Sequence, residues 1–317
     1  MYCSKSGGMH LYCVIDIGSN TIRLVVYTLE DGQLRQALSS KATAGLAGFV
    51  ENGALSAEGI DRLLSVLERF RGVLTLLPGC RVFPFATASL RGLVNTPAIL
   101  ERVKRETGFD IDVITGREEA ILDYRGAIGR MDEKSGLLVD IGGGSTELVF
   151  FRSRQIISAK SIDAGSLSLF SRFVSGVIPD RQELSAIRAE AERLISGAMP
   201  PAEGKAQLVS EPLCGVGGTA RAVNALWLAS KQTPAASGGY PVAWLRRVLA
   251  QAEDNPRKLM RRILKIAPER VHTLVPGLVM LNAVAELCGS NTVVTSGYGV
   301  REGYLEYMLE KEGVIHV

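Results

Sequence analysis

Two segments lying 124 positions apart read almost the same way, and each dictates the same local structure. Val14-Ile15-Asp16-Ile17-Gly18-Ser19-Asn20-Thr21 lines up with Leu138-Val139-Asp140-Ile141-Gly142-Gly143-Gly144-Ser145. Both run on into apolar stretches, Leu24-Val25-Val26 and Leu148-Val149-Phe150, at the same offset. An apolar run bounded by turn residues marks a buried strand. Each copy therefore predicts strand, tight glycine-containing turn and strand, with an aspartate where the turn begins. Turns rich in Gly, Ser and Thr can aim backbone N–H groups and hydroxyls at an anion. Two such copies facing one another would form a two-sided phosphate clamp, with Asp16 and Asp140 placed to hold a metal ion. The plainer alternative is two unrelated β-hairpins, because Asp-x-Gly turns are common. A match held in register through the second strand weighs against it.

A length of 317 residues is about twice a typical domain, so two domains are expected. The net charge of +3 is too small to argue for DNA or a membrane surface, though a local basic cleft can still bind a polyanion. The five cysteines, Cys3, Cys13, Cys80, Cys214 and Cys288, contain no C-x-x-C pair, which points to reduced thiols in a soluble, cytoplasmic protein. The first ten residues lack the apolar core of a signal peptide, and Met9 is an alternative start to Met1. The most apolar later stretch, Leu274 to Leu287, contains Pro276 and Glu286 and falls short of a membrane span. Only His10, His272 and His316 are histidines, which excludes His-rich metal clusters and Ser-His-Asp or Cys-His catalysis. Any hydrolysis must use carboxylates, backbone amides, Arg or Lys, and a hard cation.

Elements alternate along the first half. Ser56 is a good N-cap for a helix whose apolar residues run from Ile60 to Leu77 before Pro78-Gly79 stops it. Arg81 to Ala86 reads as strand, Thr96-Pro97 opens a helix that Gly108 closes, and Ile111 to Ile114 is strand followed by helix from about Arg117. Alternating strands and helices indicate an α/β fold. The second Asp-Gly hairpin restarts the pattern, giving expected domains 1–125 and 126–317. Helices are expected at about Asp180–Ser196, Thr219–Ala229, Val242–Ala252 and Pro256–Ile266, with a surface loop over Ser230 to Tyr240.

Taken in order, D-I-G-S-N-T-x-R, A-T-x-S-L-R, G-R-E-E-A, D-I-G-G-G-S-T-E-L and G-V-R-E-G make the chain similar to the exopolyphosphatase/guanosine pentaphosphate phosphatase (Ppx/GppA) family, from about Leu11 to Leu309. D-I-G-G-G-S-T-E alone would be shared with actin-like ATPases; the Arg and Glu-Glu motifs narrow it. The resemblance implies two ribonuclease-H-like domains of the actin/Hsp70/sugar-kinase superfamily with a cleft between them, in the short form without a further C-terminal domain. It also implies release of terminal phosphate from inorganic polyphosphate, or of the 5′ γ-phosphate of pppGpp. In the family the second glutamate of G-R-E-E-A is the base that activates water, and it matches Glu119.

Hydrolysing a phosphoanhydride needs neutralised phosphoryl oxygens, an oriented water and in-line geometry. Ser19, Asn20 and Thr21, and Gly142, Gly143, Gly144, Ser145 and Thr146, can supply fixed donors. Gly217, Gly218 and Thr219 follow a strand and open a helix, a further anion site. Arg91 can bind phosphate bidentately. Arg23 can reach phosphate or pair with a carboxylate, and both readings stay open. Glu118 and Glu119 have a bland explanation as acids complementing a helix dipole. Asp140 and Asp16 suit a Mg²⁺ or other divalent cation held partly through water, and Glu147, pointing opposite to Thr146, is a second catalytic acid.

Two departures from the family pattern bear on substrate handling. Ser296-Gly297-Tyr298-Gly299-Val300-Arg301-Glu302-Gly303 lacks an aspartate that many relatives carry, and Ala44 to Gly48 lacks an expected Arg-Leu pair. The expected partners are polyphosphate or guanosine penta- and tetraphosphate, with no DNA or membrane, and a homodimer is compatible. A non-catalytic polyphosphate- or nucleotide-binding regulator and an acetate- or sugar-kinase-type phosphotransferase are the competing functions.

Overall fold

The computed structural model describes residues 10–198, 212–230 and 239–315. Cys3, the choice between Met1 and Met9, His316 and most of the Ser230–Tyr240 loop lie outside them. Contacts divide the chain into two compact units, Met1–Thr115 with Tyr304–Val317, and Gly116–Gly303.

In the first unit, β1 (Leu11–Ile17), β2 (Thr21–Glu30) and β3 (Gln33–Thr43) form an antiparallel meander; β4 (Val50–Glu51) and β5 (Ala54–Leu55) make a small separate ribbon. Helix α1 (Ala57–Leu74) follows, then β6 (Arg81–Ala86), α2 (Thr96–Thr107) and β7 (Asp112–Val113), giving the sheet order β3-β2-β1-β6-β7. Strand β6 runs parallel to β1, and β7 parallel to β6. The Ser56 hydroxyl accepts from Gly59 N, capping α1 as its sequence dictates. The helix buries Leu63, Leu64, Leu67 and Phe70 in one core with Ile15, Ile17, Ile22 and Leu24.

The second unit opens on α3 (Gly116–Ile128) and repeats the meander with β8 (Gly136–Ile141), β9 (Thr146–Arg152) and β10 (Gln155–Ile162). Next come α4 (Ser166–Phe173), α5 (Arg181–Ala198), β11 (Leu213–Val216), α6 (Gly217–Leu228), β12 (Tyr240–Pro241), α7 (Val242–Asp254) and α8 (Pro256–Ile266). Helix α9 (Leu274–Leu287), β13 (Thr292–Thr295) and α10 (Val300–Lys311) complete the chain, and the sheet order is β10-β9-β8-β11-β13-β12. Both faces of this sheet are apolar and covered. Leu148 and Phe150 join the core that holds α5 and α9, while Val149 and Phe151 pack with Ala120, Tyr124 and Ala127 of α3. The apolar stretch Leu274–Leu287 is thus a buried core helix, and no helix among the described residues is long and apolar enough to cross a membrane.

The expected boundary between 125 and 126 differs from the contact boundary at Thr115/Gly116. The apolar face of α3 packs on β8, β9 and β11, which draws the whole helix into the second unit. At the other end α10 passes to the first unit at Tyr304, whose ring packs 4.5 Å from that of Phe85 and whose hydroxyl donates to Asp112 Oδ2 at 3.2 Å.

Within the second unit, α3 and the first turn of α10 meet backbone to backbone. A Cβ on Gly303 would overlap the Leu122 carbonyl oxygen, and one on Gly126 would overlap the Gly299 carbonyl oxygen. Gly303→Ala should therefore lower stability by about 2 kcal/mol. A reduced urea midpoint at unchanged slope would report it; an unchanged midpoint would mean the two helices separate freely.

Candidate active site

The two sequence copies fold into the same turn. Gly18 N donates to Thr21 O at 3.1 Å, and Gly142 N donates to Ser145 O at 2.9 Å. The ladders close identically, Ile17 opposite Ile22 and Ile141 opposite Thr146. One step back the copies diverge: Asp16 faces Arg23, whereas Asp140 faces Glu147. Opposite charges across a ladder stabilise it and like charges destabilise it. The second copy must therefore be compensated by its surroundings.

In both turns the carbonyls are tied down. Asn20 O accepts from Ala44 N and Gly45 N, each at 3.0 Å, and Ser19 O accepts from Ala47 N at 3.0 Å. Gly142 O accepts from Ser166 N at 2.9 Å, and Gly143 O from Leu167 N and Ser168 N, each at 3.0 Å. Among the described residues no backbone carbonyl accepts from the amides of Ser19, Asn20, Gly143 or Gly144. Each turn thus holds its acceptors inward and leaves amides at its tip, the arrangement that binds an anion. In the first unit the A-T-x-S-L-R segment is fastened beside its turn: Thr87 N and the Ser89 hydroxyl both donate to Ile17 O. Arg91 follows, with Nη1 donating to Ile114 O at 3.4 Å.

The second unit gathers four carboxylates. Glu119 and Asp123 lie one turn apart on α3, Asp140 is the last residue but one of β8, and Glu147 is the second residue of β9. Glu118 is exposed, whereas Glu119 is 8% exposed, Glu147 1% and Asp123 0%. Burial pushes the Asp123 carboxyl well above the usual carboxylate range, and Asp140, Glu147 and Glu119 push it further. Its Oδ1 accepts from Val300 N at 2.8 Å, and its Oδ2 has no partner at hydrogen-bonding geometry among the described residues. Burial also raises Glu147 strongly, reinforced by Glu119 and Asp140 and opposed by the Ser161 and Ser145 hydroxyls. Ser161 Oγ donates to Glu147 Oε1 at 2.8 Å.

Three arginines compensate this charge. Burial raises the half-buried Asp140, and Arg221, Arg270 and Arg301 draw it back, with a smaller pull from Asp123. Burial lowers Arg221 and Arg270, and each is lowered further by a neighbouring guanidinium, Arg301 for Arg221 and Arg221 for Arg270. Three cations crowded beside one half-buried carboxylate have capacity left for an anion.

The glycines at the start of α6 make room for these side chains. Gly217 has φ +73°, and a Cβ there would overlap Asp140 Oδ1; a Cβ on Gly218 would overlap Arg270 Nη2. Thr219 Oγ1 donates to Ile141 O at 2.7 Å and accepts from Arg270 Nη1 at 3.4 Å. Thr146 Oγ1 likewise donates to Ala164 O at 2.7 Å, on the sheet face opposite Glu147. The hydroxyls of Thr146, Thr219 and Ser145 are therefore engaged inside the protein, unlike the turn amides. Among the described residues no group of three or more His, Cys, Asp or Glu side chains is arranged to hold a metal ion.

Sequence reasoning assigned no role to Asp123, Arg221, Arg270 or Arg301. Asp123 had a usable signal, since four residues from Glu119 puts it on the same face of α3. Arg270 had none, because it closes a single 3₁₀ turn (Pro268–Arg270) far from every glycine motif.

The model of the Ppx/GppA phosphatase family matches residues 25–312. A guanosine-5′-triphosphate,3′-diphosphate pyrophosphatase from Vibrio vulnificus is 31% identical over 97% of the chain, and the match covers 61% of that protein. A second of that name from Vibrio atlanticus is 29% identical over 95% of the chain. The chain thus spans about three fifths of the length of these curated relatives, 60% and 61%. Among solved structures, the Ppx/GppA family member from Aquifex aeolicus has a TM-score of 0.78 at 25% identity, covering 98% of this chain and 100% of that one. An exopolyphosphatase from Cytophaga hutchinsonii has a TM-score of 0.80 at 24% identity, covering 95% and 98%, which establishes a common fold.

Proposed function

The chain belongs to the Ppx/GppA phosphatase family, and on that footing we propose that it is a phosphoanhydride hydrolase releasing the terminal phosphate of inorganic polyphosphate or the 5′ γ-phosphate of pppGpp. The observation that carries this reading is the second unit's pairing of four clustered carboxylates with three crowded arginines, beside a turn whose tip amides face no backbone carbonyl. The arginines and the Gly143 and Gly144 amides neutralise phosphoryl oxygens, the largest requirement for a loose phosphoryl-transfer transition state. Glu119 accepts the proton of the attacking water. It is buried beside Asp123 and Glu147, within the carboxylate cluster. Glu147, steadied by Ser161 and Ser145, orients the same water. Ser19, Asn20, Thr21 and Arg91 are the first unit's phosphate donors.

A divalent cation such as Mg²⁺ fits this donor set. Asp140 is a half-buried carboxylate whose oxygens lie close against Gly217, where any Cβ would displace them, and Mg²⁺ is ordinarily held by one or two carboxylates with water and phosphate oxygens completing its shell. Asp16 occupies the equivalent place in the first unit. When bound, the cation supplies charge neutralisation on the phosphate oxygens.

The test is phosphate release from long-chain polyphosphate, tripolyphosphate and pppGpp with Mg²⁺ present. Release from none of the three would overturn the proposal, and binding without turnover would favour the regulator. Arg91→Lys keeps the charge but loses the bidentate fork. KM should rise about tenfold, the worth of one charge-assisted hydrogen bond. An unchanged KM would take Arg91 out of the phosphate-binding set.

A further inference from the structure

Helix α8 carries Arg257, Lys258, Arg261, Arg262 and Lys265 among its 11 residues and contains no acidic residue. That is a strong concentration for a chain whose net charge is +3. Helical geometry puts these cations on one side, with Arg257, Arg261 and Lys265 succeeding one another at four-residue spacing. Leu259 and Ile263, opposite, are fully buried in the core of the second unit. Arg262 donates to Gln251 Oε1 at 2.8 Å, whereas Arg257, Lys258, Arg261 and Lys265 are exposed. The acids flanking the helix in sequence have other partners, Glu253 pairing with Arg181 and Arg188, Asp254 with Arg181, and Glu269 acting on Arg270. Among the described residues none of the four exposed cations forms an ion pair.

A solvated helix face ordinarily interleaves both signs of charge. A basic amphipathic helix can bind membranes, but only by burying an apolar face, and this one is already spent in the core. Single-stranded nucleic acid binding relies on aromatic side chains that stack bases, and α8 has none. A bare phosphate polymer needs neither. The helix also leads into the active site: Ala267 N and Arg270 N continue the turn past its end, and Arg270 belongs to the guanidinium cluster at Asp140. Lys265 and Arg270 are five positions apart, so their Cα atoms lie at most about 18 Å from one another. The stripe from Arg257 to Lys265 adds about 12 Å along the helix.

We propose that the exposed face of α8 holds an outlying stretch of long-chain inorganic polyphosphate while the end of that chain occupies the carboxylate and arginine site. This rests on the phosphoanhydride hydrolase reading and adds a chain-length preference to it. A substrate with three phosphates is too short to use both places.

The experiment compares wild type with Arg257→Gln/Arg261→Gln/Lys265→Gln, using long-chain polyphosphate, tripolyphosphate and a single-stranded RNA of matched charge. For long-chain polyphosphate, Kd and KM should rise about tenfold, and the salt slope of log affinity should fall by roughly one per cation removed. Turnover of tripolyphosphate should stay the same. Equal long-chain affinity in variant and wild type would overturn the proposal. So would RNA that competes as well as polyphosphate and loses affinity in parallel, since the face would then be a nucleic-acid surface. Absence of phosphate release from every substrate, with long-chain binding still dependent on the three cations, would remove the hydrolase reading and leave this surface standing.

Discussion

Glu119→Gln should lower the rate of phosphate release about a thousandfold, within the usual range for removing a general base. Glutamine preserves the volume of a side chain that is 8% exposed, so packing against β8 and β9 is kept. It also removes a like charge from Asp123 and Glu147, both of which Glu119 pushes upward. The variant should therefore be no less stable than wild type at neutral pH. Its KM should stay within about threefold, because the arginines and turn amides that bind phosphate are untouched. This combination, lost turnover with intact binding and an equal or higher melting temperature, separates chemistry from misfolding. Initial rates at saturating Mg²⁺, alongside thermal melts, provide the measurement. A variant keeping more than a tenth of the wild-type rate would transfer the base role elsewhere, with Glu147 the first alternative.

The strand–turn–strand repeat was legible in the sequence, because the side-chain period of a strand and the demands of a tight turn are local. The α1 cap at Ser56 and the bounds of α8 were legible for the same reason. The roles of Gly217 and Gly218 were not. Sequence shows that a Cβ is absent but not which side chains lie against the glycines, and here they are those of Asp140 and Arg270. The acceptors of the Thr146 and Thr219 hydroxyls, Ala164 and Ile141, were not legible either, because they lie 18 and 78 residues away. The boundary at Thr115/Gly116 was hidden because α3 carries acids in its first turn while its apolar face joins a sheet formed later in the chain.

Divergence between the two copies is also a divergence in stability. The first copy sets Asp16 opposite Arg23, a pairing that favours the fold. The second sets Asp140 opposite Glu147 and adds Glu119 and Asp123 from α3, so four carboxylates must share a largely dry site. The arginines act chiefly on Asp140. The Asp123 carboxyl, fully buried, receives one backbone N–H and three like charges. A site of this kind trades folding free energy for a reactive environment.

Asp123→Asn tests that trade directly. In metal-free protein it should be more stable than wild type at about pH 8 and indistinguishable from it near pH 4. The folded-state pKa of Asp123 is raised, while the unfolded chain titrates near its ordinary value of about 3.9. Below that value both states hold the proton, and Asp123 contributes nothing. Above it the unfolded chain releases a proton that the folded chain keeps, so wild-type stability falls by about 1.4 kcal/mol for each further pH unit until the folded-state pKa is reached. Asparagine cannot ionise and escapes this loss. It also reproduces the protonated acid, since its Oδ1 still accepts from Val300 N while its amide offers Asp140 a donor. Glu147 titrates in both proteins, so its own contribution largely cancels from the difference. Urea unfolding in chelator across this pH range yields the difference curve. A flat difference, or a variant less stable than wild type at the alkaline end, would show that Asp123 is charged in the native state and carried by the arginines.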